Sequence, residues 1–173
     1  MRLFIADGNS ANRLALQVYL HQEPGLYITG LASEAKGLPI QVEASRPDVL
    51  LMDWDLPGAS LVELLSDICE LASPPKIIVL SIKPEVKALA LTAGADAFIS
   101  KKGPPGVLVQ KIRSVWAADQ PWLEVHEQQP LEERGTSQLV ERESSPIANS
   151  VPTLEDLLRK LGDKNYFRIS LSK

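Results

Sequence analysis

Five polar side chains stand at or just behind the ends of apolar runs. Asp7 follows Leu3-Phe4-Ile5-Ala6, and Asp53 follows Val49-Leu50-Leu51-Met52, with Asp55 two residues further on. Ser81 follows Ile77-Ile78-Val79-Leu80, and Lys101 comes shortly after Ala97-Phe98-Ile99. Three carboxylates brought together repel one another and raise at least one pKa. A divalent cation or a lysine relieves that repulsion. Magnesium prefers oxygen ligands and retains waters, so a few carboxylates and a phosphate suit it. A carboxylate is also a nucleophile towards a phosphoryl group, giving an aspartyl-phosphate. A metal and Lys101 would then neutralise charge on the transferring oxygens, and Ser81 would hydrogen-bond a phosphate oxygen and report its arrival. Phosphorylation adds roughly -1.5 to -2 charges, enough to move a nearby helix or loop. Each residue alone has an ordinary explanation. An Asp after a strand often caps a helix or forms a turn, and Lys101 beside Lys102 reads as a solvated pair. Their shared position and order argue against coincidence.

The elements that would position them follow from the apolar pattern. Strands are expected over 3–6, 26–31, 49–52, 77–80 and 97–99. The third is apolar throughout, as in a sheet covered on both faces. Between the strands lie helical patterns. Asn9 or Ser10 caps the first, whose stripe reads Ala11, Leu14, Ala15 and Val18. A second helix over about 34–45 is interrupted by Pro39. The third, over 59–72, carries Leu61, Leu64, Leu65 and Ile68 and ends at Pro74-Pro75. The fourth carries Val86, Leu89, Ala90 and Ala93 and closes at Gly94. The last starts at Pro104 or Pro105 and carries Leu108, Ile112 and Val115. Alternating strands and helices imply an α/β fold, a doubly wound parallel sheet. In such sheets functional groups collect at the C-terminal strand ends, which is where these five side chains fall.

Two segments now carry a resemblance. Pro47-Asp48-Val49-Leu50-Leu51-Met52-Asp53-Trp54-Asp55-Leu56-Pro57-Gly58 resembles the strand-Asp-x-x-x-Pro-Gly phosphorylation loop of response-regulator receiver domains. Gly94-Ala95-Asp96-Ala97-Phe98-Ile99-Ser100-Lys101 is similar to that family's Gly-Ala-x-x-aromatic-x-x-Lys segment, and Val79-Leu80-Ser81 fits its Ser/Thr switch strand. The likeness spans 1–118. It implies a flavodoxin-like five-stranded sheet of order 2-1-3-4-5 with helices on both faces. It further implies that Asp53 accepts phosphate from a histidine kinase or phosphotransfer protein, and that Asp7, Asp53 and the Asp55 carbonyl hold Mg2+. The Asp55 side chain would tune dephosphorylation. Ser81 would be the switch hydroxyl, Lys101 would contact the phosphoryl group, and Phe98 stands where an aromatic reporter usually sits. The fourth helix, fifth strand and fifth helix would form the output face. Such domains signal by protein contact rather than as enzymes, and often dimerise.

The chain departs from the family pattern in two places. Asp7 is followed by Gly8 where a second acid is usual. A lost carboxylate near a cation removes on the order of 4 kcal/mol of attraction at an effective dielectric near 20, before solvent compensation, so magnesium binding is expected to be weak. Ile82 follows Ser81 where a small residue is usual, and restricts access. Both leave open an atypical receiver that works without phosphate as a protein-interaction module. An unrelated flavodoxin-like enzyme is disfavoured, because Asp7-Gly8-Asn9 is no glycine-rich nucleotide loop.

Bulk properties agree. Of 173 residues, 45% are apolar and 23% charged, enough to build a core over most of the length. The formal net charge of -4 gives no overall basic surface for nucleic acid. The single cysteine, Cys69, sits in an apolar helical stretch and reads as a small core residue; the absence of an internal disulfide suits the cytoplasm. The N-terminal apolar run is too short to target or span a membrane. Residues 119–152 read as an acidic, proline-broken linker, with Trp122 packed on the receiver. Within 153–173, Leu154, Leu157, Leu158 and Leu161 give a helix face, and 166–171 can form a strand. That piece docks on its own receiver or a second copy, or binds an unidentified downstream protein. It is too short for the usual DNA-binding domain, so direct DNA binding is not expected.

Overall fold

The computed structural model describes residues 1–118. The acidic linker expected over 119–152, Trp122, and the helix and strand expected over 153–173 lie outside the described residues. Five strands, β1 (Arg2–Ala6), β2 (Tyr27–Ala32), β3 (Val49–Asp53), β4 (Lys76–Ser81) and β5 (Ala97–Ser100), form one parallel sheet in the order β2-β1-β3-β4-β5. The helices are α1 (Ser10–His21), α2 (Leu38–Ser45), α3 (Leu61–Cys69), α4 (Lys87–Thr92) and α5 (Pro105–Ala117), with a 3-10 turn, Pro84–Val86, leading into α4.

Strand alternation divides the core. Leu3, Ile5, Val49, Leu51, Ile78, Leu80 and Ile99 point to one face and pack with Ala15, Leu16 and Leu20 of α1 and Leu108, Val109 and Ile112 of α5. Phe4, Ala6, Leu50, Met52, Ile77 and Val79 point to the other, under Leu38 and Val42 of α2, Leu61, Leu64, Leu65 and Ile68 of α3, and Ala90 of α4. Both faces being covered explains why β3 is buried at every residue. The strands pair so that Ala6 lies opposite Met52, Asp53 opposite Leu80, and Ser81 opposite Ser100. Their carboxyl ends therefore finish along one edge.

Several local expectations need correction. In α1 the buried side is Ala15, Leu16 and Leu20, whereas Leu14 is exposed. Apolar residues recur on more than one side of this helix, so periodicity alone did not choose the inward one. Pro39 opens α2 rather than interrupting it, since proline suits the first helical turn, whose N–H groups lack intrahelical partners. The Val86, Leu89, Ala90, Ala93 stripe is not a core face. Val86 belongs to the 3-10 turn, Leu89 is exposed, and only Ala90 of α4 is buried. Cys69 is exposed at the end of α3, its thiol 3.8 Å from the Gly94 carbonyl. Among the described residues no helix is long and apolar enough to cross a membrane.

Candidate functional site

Asp7 leaves β1 with its backbone N–H donating to the Ala32 carbonyl of β2 at 3.1 Å. Its Oδ1 accepts the Asn9 N–H at 2.8 Å. Asn9 in turn caps α1, its side chain accepting from the N–H groups of Ala11 and Asn12. The Asp7 carbonyl accepts from Arg13 Nη1 at 2.6 Å. The carboxylate is thus fixed between a strand end and a helix start.

Asp53 closes β3, and the next N–H, from Trp54, donates to the Leu80 carbonyl of β4 at 2.9 Å. The turn that follows needs Gly58, whose φ of 107° lies where side chains are strained. It is tied back by the Ala35 N–H, which donates to the Pro57 carbonyl at 2.7 Å. Lys101 leaves β5 with its backbone N–H on the Ser81 carbonyl at 2.9 Å. Its ammonium lies 2.8 Å from Asp53 Oδ1 and 3.0 Å from Asp7 Oδ2. All of these residues are buried: Asp7 is 1% exposed, Asp53 8%, Ser81 1% and Lys101 5%. They are the only buried polar or charged residues among those described, and each carboxylate has the lysine as its partner.

Burial pushes the Asp53 carboxyl above its ordinary range. Lys101 opposes that shift by charge and hydrogen bond, while the negative charges of Asp7 and Asp55 add to it. A carboxylate that is costly to keep charged gains by losing or sharing that charge, which suits a group that is to form a new bond to an electrophile.

The structure brings Asp7, Asp53 and Lys101 into direct contact and sets Ser81 beside them. Ser81 Oγ accepts the Lys83 N–H at 3.1 Å. Asp55 takes a different partner. Its exposed carboxylate meets Lys83 Nζ at 2.8 Å. Lys83 is therefore a site residue that the sequence reading missed. It belongs to no apolar run, and only the fold shows that its side chain spans to the loop after β3. Ile82 is 42% exposed beside Ser81, and Phe98 is partly buried against the second core cluster.

The donor set fits a divalent cation poorly. Gly8 offers no oxygen from a side chain, and a Cβ built there would lie 2.6 Å from Pro57 Cδ, too close unless the ring moves. Both Asp7 oxygens are engaged, one by Asn9 and one by Lys101. Among the described residues no group of three or more His, Cys, Asp or Glu side chains is placed to share one ion.

An order 2-1-3-4-5 parallel sheet with a buried Asp-Asp-Lys cluster at its carboxyl edge defines a receiver-type signalling domain. The response regulator receiver domain family matches residues 3–113, and the chain belongs to it. Receivers of this family work in two-component signalling with histidine kinases and typically bind Mg2+. The chain is 31% identical over 126 residues to a protein-glutamate methylesterase/protein-glutamine glutaminase of Cereibacter sphaeroides, covering 68% of this chain and 34% of that protein. It is 32% identical over 117 residues to the transcriptional regulatory protein LiaR of Bacillus subtilis, covering 66% of this chain and 55% of LiaR. The chain thus matches about a third and about half of the length of these curated relatives. Among solved structures it is similar to a two-component response regulator of the LuxR family from Aurantimonas sp. SI85-9A1, with TM-score 0.63 and 25% identity over 68% of this chain and 85% of that one. The response regulator domain of Thermotoga maritima CheB shares the fold at TM-score 0.60 and 24% identity, over 67% of this chain and 96% of that one.

Proposed function

We propose that this chain is a phosphate-accepting signalling switch in which Asp53 is the acceptor. An Asp53 oxygen attacks the phosphorus of a phosphohistidine on a kinase or phosphotransfer protein. The P–N bond breaks, and the imidazole leaves. Lys101 neutralises charge on the transferred oxygens. Ser81, released from the Lys83 N–H, donates its hydroxyl proton to one of them. The observation that carries this reading is the buried Lys101 ammonium shared by Asp53 and Asp7. Magnesium binding at Asp7, Asp53 and Asp55 is weak in this account, because the acid usual at position 8 is absent.

The output is a contact with another protein, not an enzymatic reaction of this chain or direct binding to DNA. Supporting this, Leu89 and Leu91 of α4 and Val107 of α5 are exposed, and Ile82 lies just before the turn into α4. A second copy of the chain or a downstream protein would cover that face. Phosphoramidate, a small phosphodonor, should label the wild type and spare Asp53→Asn. Equal labelling of both would remove Asp53 from the role. Gly8 and Ile82 favour a second reading, an interaction module that works without phosphate; for it, Asp53→Asn retains partner binding unchanged.

A further inference from the structure

The Lys83 side chain has no part in the roles above, although the residue touches two of the site's elements. Its backbone is fixed to Ser81 through the N–H to Oγ contact of 3.1 Å, and its ammonium reaches Asp55 at 2.8 Å. We propose that Lys83 is a second cation of the phosphoryl site, stored on Asp55, and that it takes over part of the charge neutralisation that a metal held by a second acid would otherwise supply. This rests on the reading of Asp53 as phosphoryl acceptor.

The charge count motivates it. Asp7, Asp53 and Asp55 bring three negative charges, and Lys101 and Lys83 bring two positive ones. Converting the Asp53 carboxylate into an acyl phosphate raises the local negative charge. Lys101 is already shared between two carboxylates and buried, so it has little further to give. Lys83 is different. The side chains of the Lys83–Asp55 pair are 45% and 52% exposed, and an exposed pair of this kind is weakly held. The lysine stem is long and flexible, and its root lies next to the hydroxyl that would contact the phosphoryl group.

The transfer step is the one given above, with phosphoramidate as donor in the test. An Asp53 oxygen forms the O–P bond, the P–N bond breaks, and ammonia departs after taking a proton from water. Lys83 moves from Asp55 towards the phosphoryl oxygens and is neither consumed nor deprotonated. It is a positioning and neutralising residue whose positive charge opposes a metal bound at Asp7, Asp53 and the Asp55 carbonyl.

The test uses the full chain with phosphoramidate, either in excess chelator or in millimolar magnesium, reading the phosphorylated fraction by intact mass. Wild type should label in chelator at a rate within about threefold of that with magnesium, and Lys83→Ala should lower the chelator rate on the order of tenfold while Lys83→Arg restores it. Magnesium titrations followed by Trp54 emission should show tighter binding to Lys83→Ala than to wild type, since a competing cation is gone. Lys83→Ala labelling as fast as wild type in chelator, or equal magnesium midpoints in the two proteins, overturns the proposal. So does wild-type labelling that is abolished by chelator. Asp53→Asn, run alongside, separates the cases. If it labels like wild type, the acceptor assignment fails. If Asp53→Asn does not label and Lys83→Ala labels as fast as wild type, the acceptor stands and Lys83 has no such role.

Discussion

Asp53 sits under opposed influences, burial and two neighbouring carboxylates against one ammonium, and burial prevails. Its folded pKa is therefore raised above the ordinary 3.8. Holding the charge costs the folded state free energy, a cost absent below the unfolded pKa and complete above the folded one. Asp53→Asn should accordingly raise stability at pH 7. The gain should vanish as pH falls through the folded pKa towards 3.8. Denaturant melts of both proteins across that range check it, and a gain that grows on acidification contradicts it. Gly8 gives a second expectation. Because a Cβ would press on Pro57 at 2.6 Å, Gly8→Ala should destabilise by about 1 kcal/mol through overpacking. An unchanged denaturation midpoint would show that the ring yields freely. At this scale Asp7, Asp53, Ser81 and Lys101 were legible, because each follows an apolar run and a parallel sheet aligns strand ends. Lys83 was not, since its relevance lies in where a long side chain reaches. Cys69 was misread for a related reason: an apolar neighbourhood in sequence does not fix which side of a helix faces water.

The elements explain how that edge is kept in register. Between β1 and β2 the pairing shifts, with Leu3 opposite Ile28 and Phe4 opposite Gly30. Thr29 is the extra residue, and its hydroxyl donates to the Leu3 carbonyl at 3.1 Å. Gly30 is required here for space: a Cβ would lie 2.2 Å from the Phe4 ring, which is itself only 2% exposed. Gly30→Ala should cost about 2 kcal/mol by forcing a buried aromatic side chain aside, read as a lower denaturation midpoint. Pairing it with Phe4→Leu should recover part of the loss, and a Gly30→Ala protein as stable as wild type would contradict the packing described. Strands and α3 were legible because their apolar residues follow one clear period. The inward side of α1 and the short α4 were not. The first carries apolar residues on several sides, and the second begins in a 3-10 turn that resets the phase.

Across the described residues, one sheet separates two cores, and adjacent residues of β3 serve opposite faces. Leu51 packs with α1 and α5, and Leu50 with α2, α3 and α4. Both are fully buried, so Leu50→Ala and Leu51→Ala should each cost about 3 kcal/mol and should each lower a single cooperative transition. Separate transitions for the two variants would mean that the faces unfold independently. The overall architecture was legible from the alternation of strand and helix patterns. The lysine pairing that sets the site's charge required the assembled edge.

The chemistry of phosphoryl capture on the Asp53 carboxyl allows a direct test. The chain is treated with phosphoramidate, then with borohydride, which reduces an acyl phosphate to the alcohol and so converts a phosphorylated aspartate into homoserine. Peptide mass spectrometry then locates the change. Homoserine is expected at position 53 and nowhere else. Homoserine at position 7 or 55 instead, or a phosphate that resists borohydride and maps to Ser81, would contradict it.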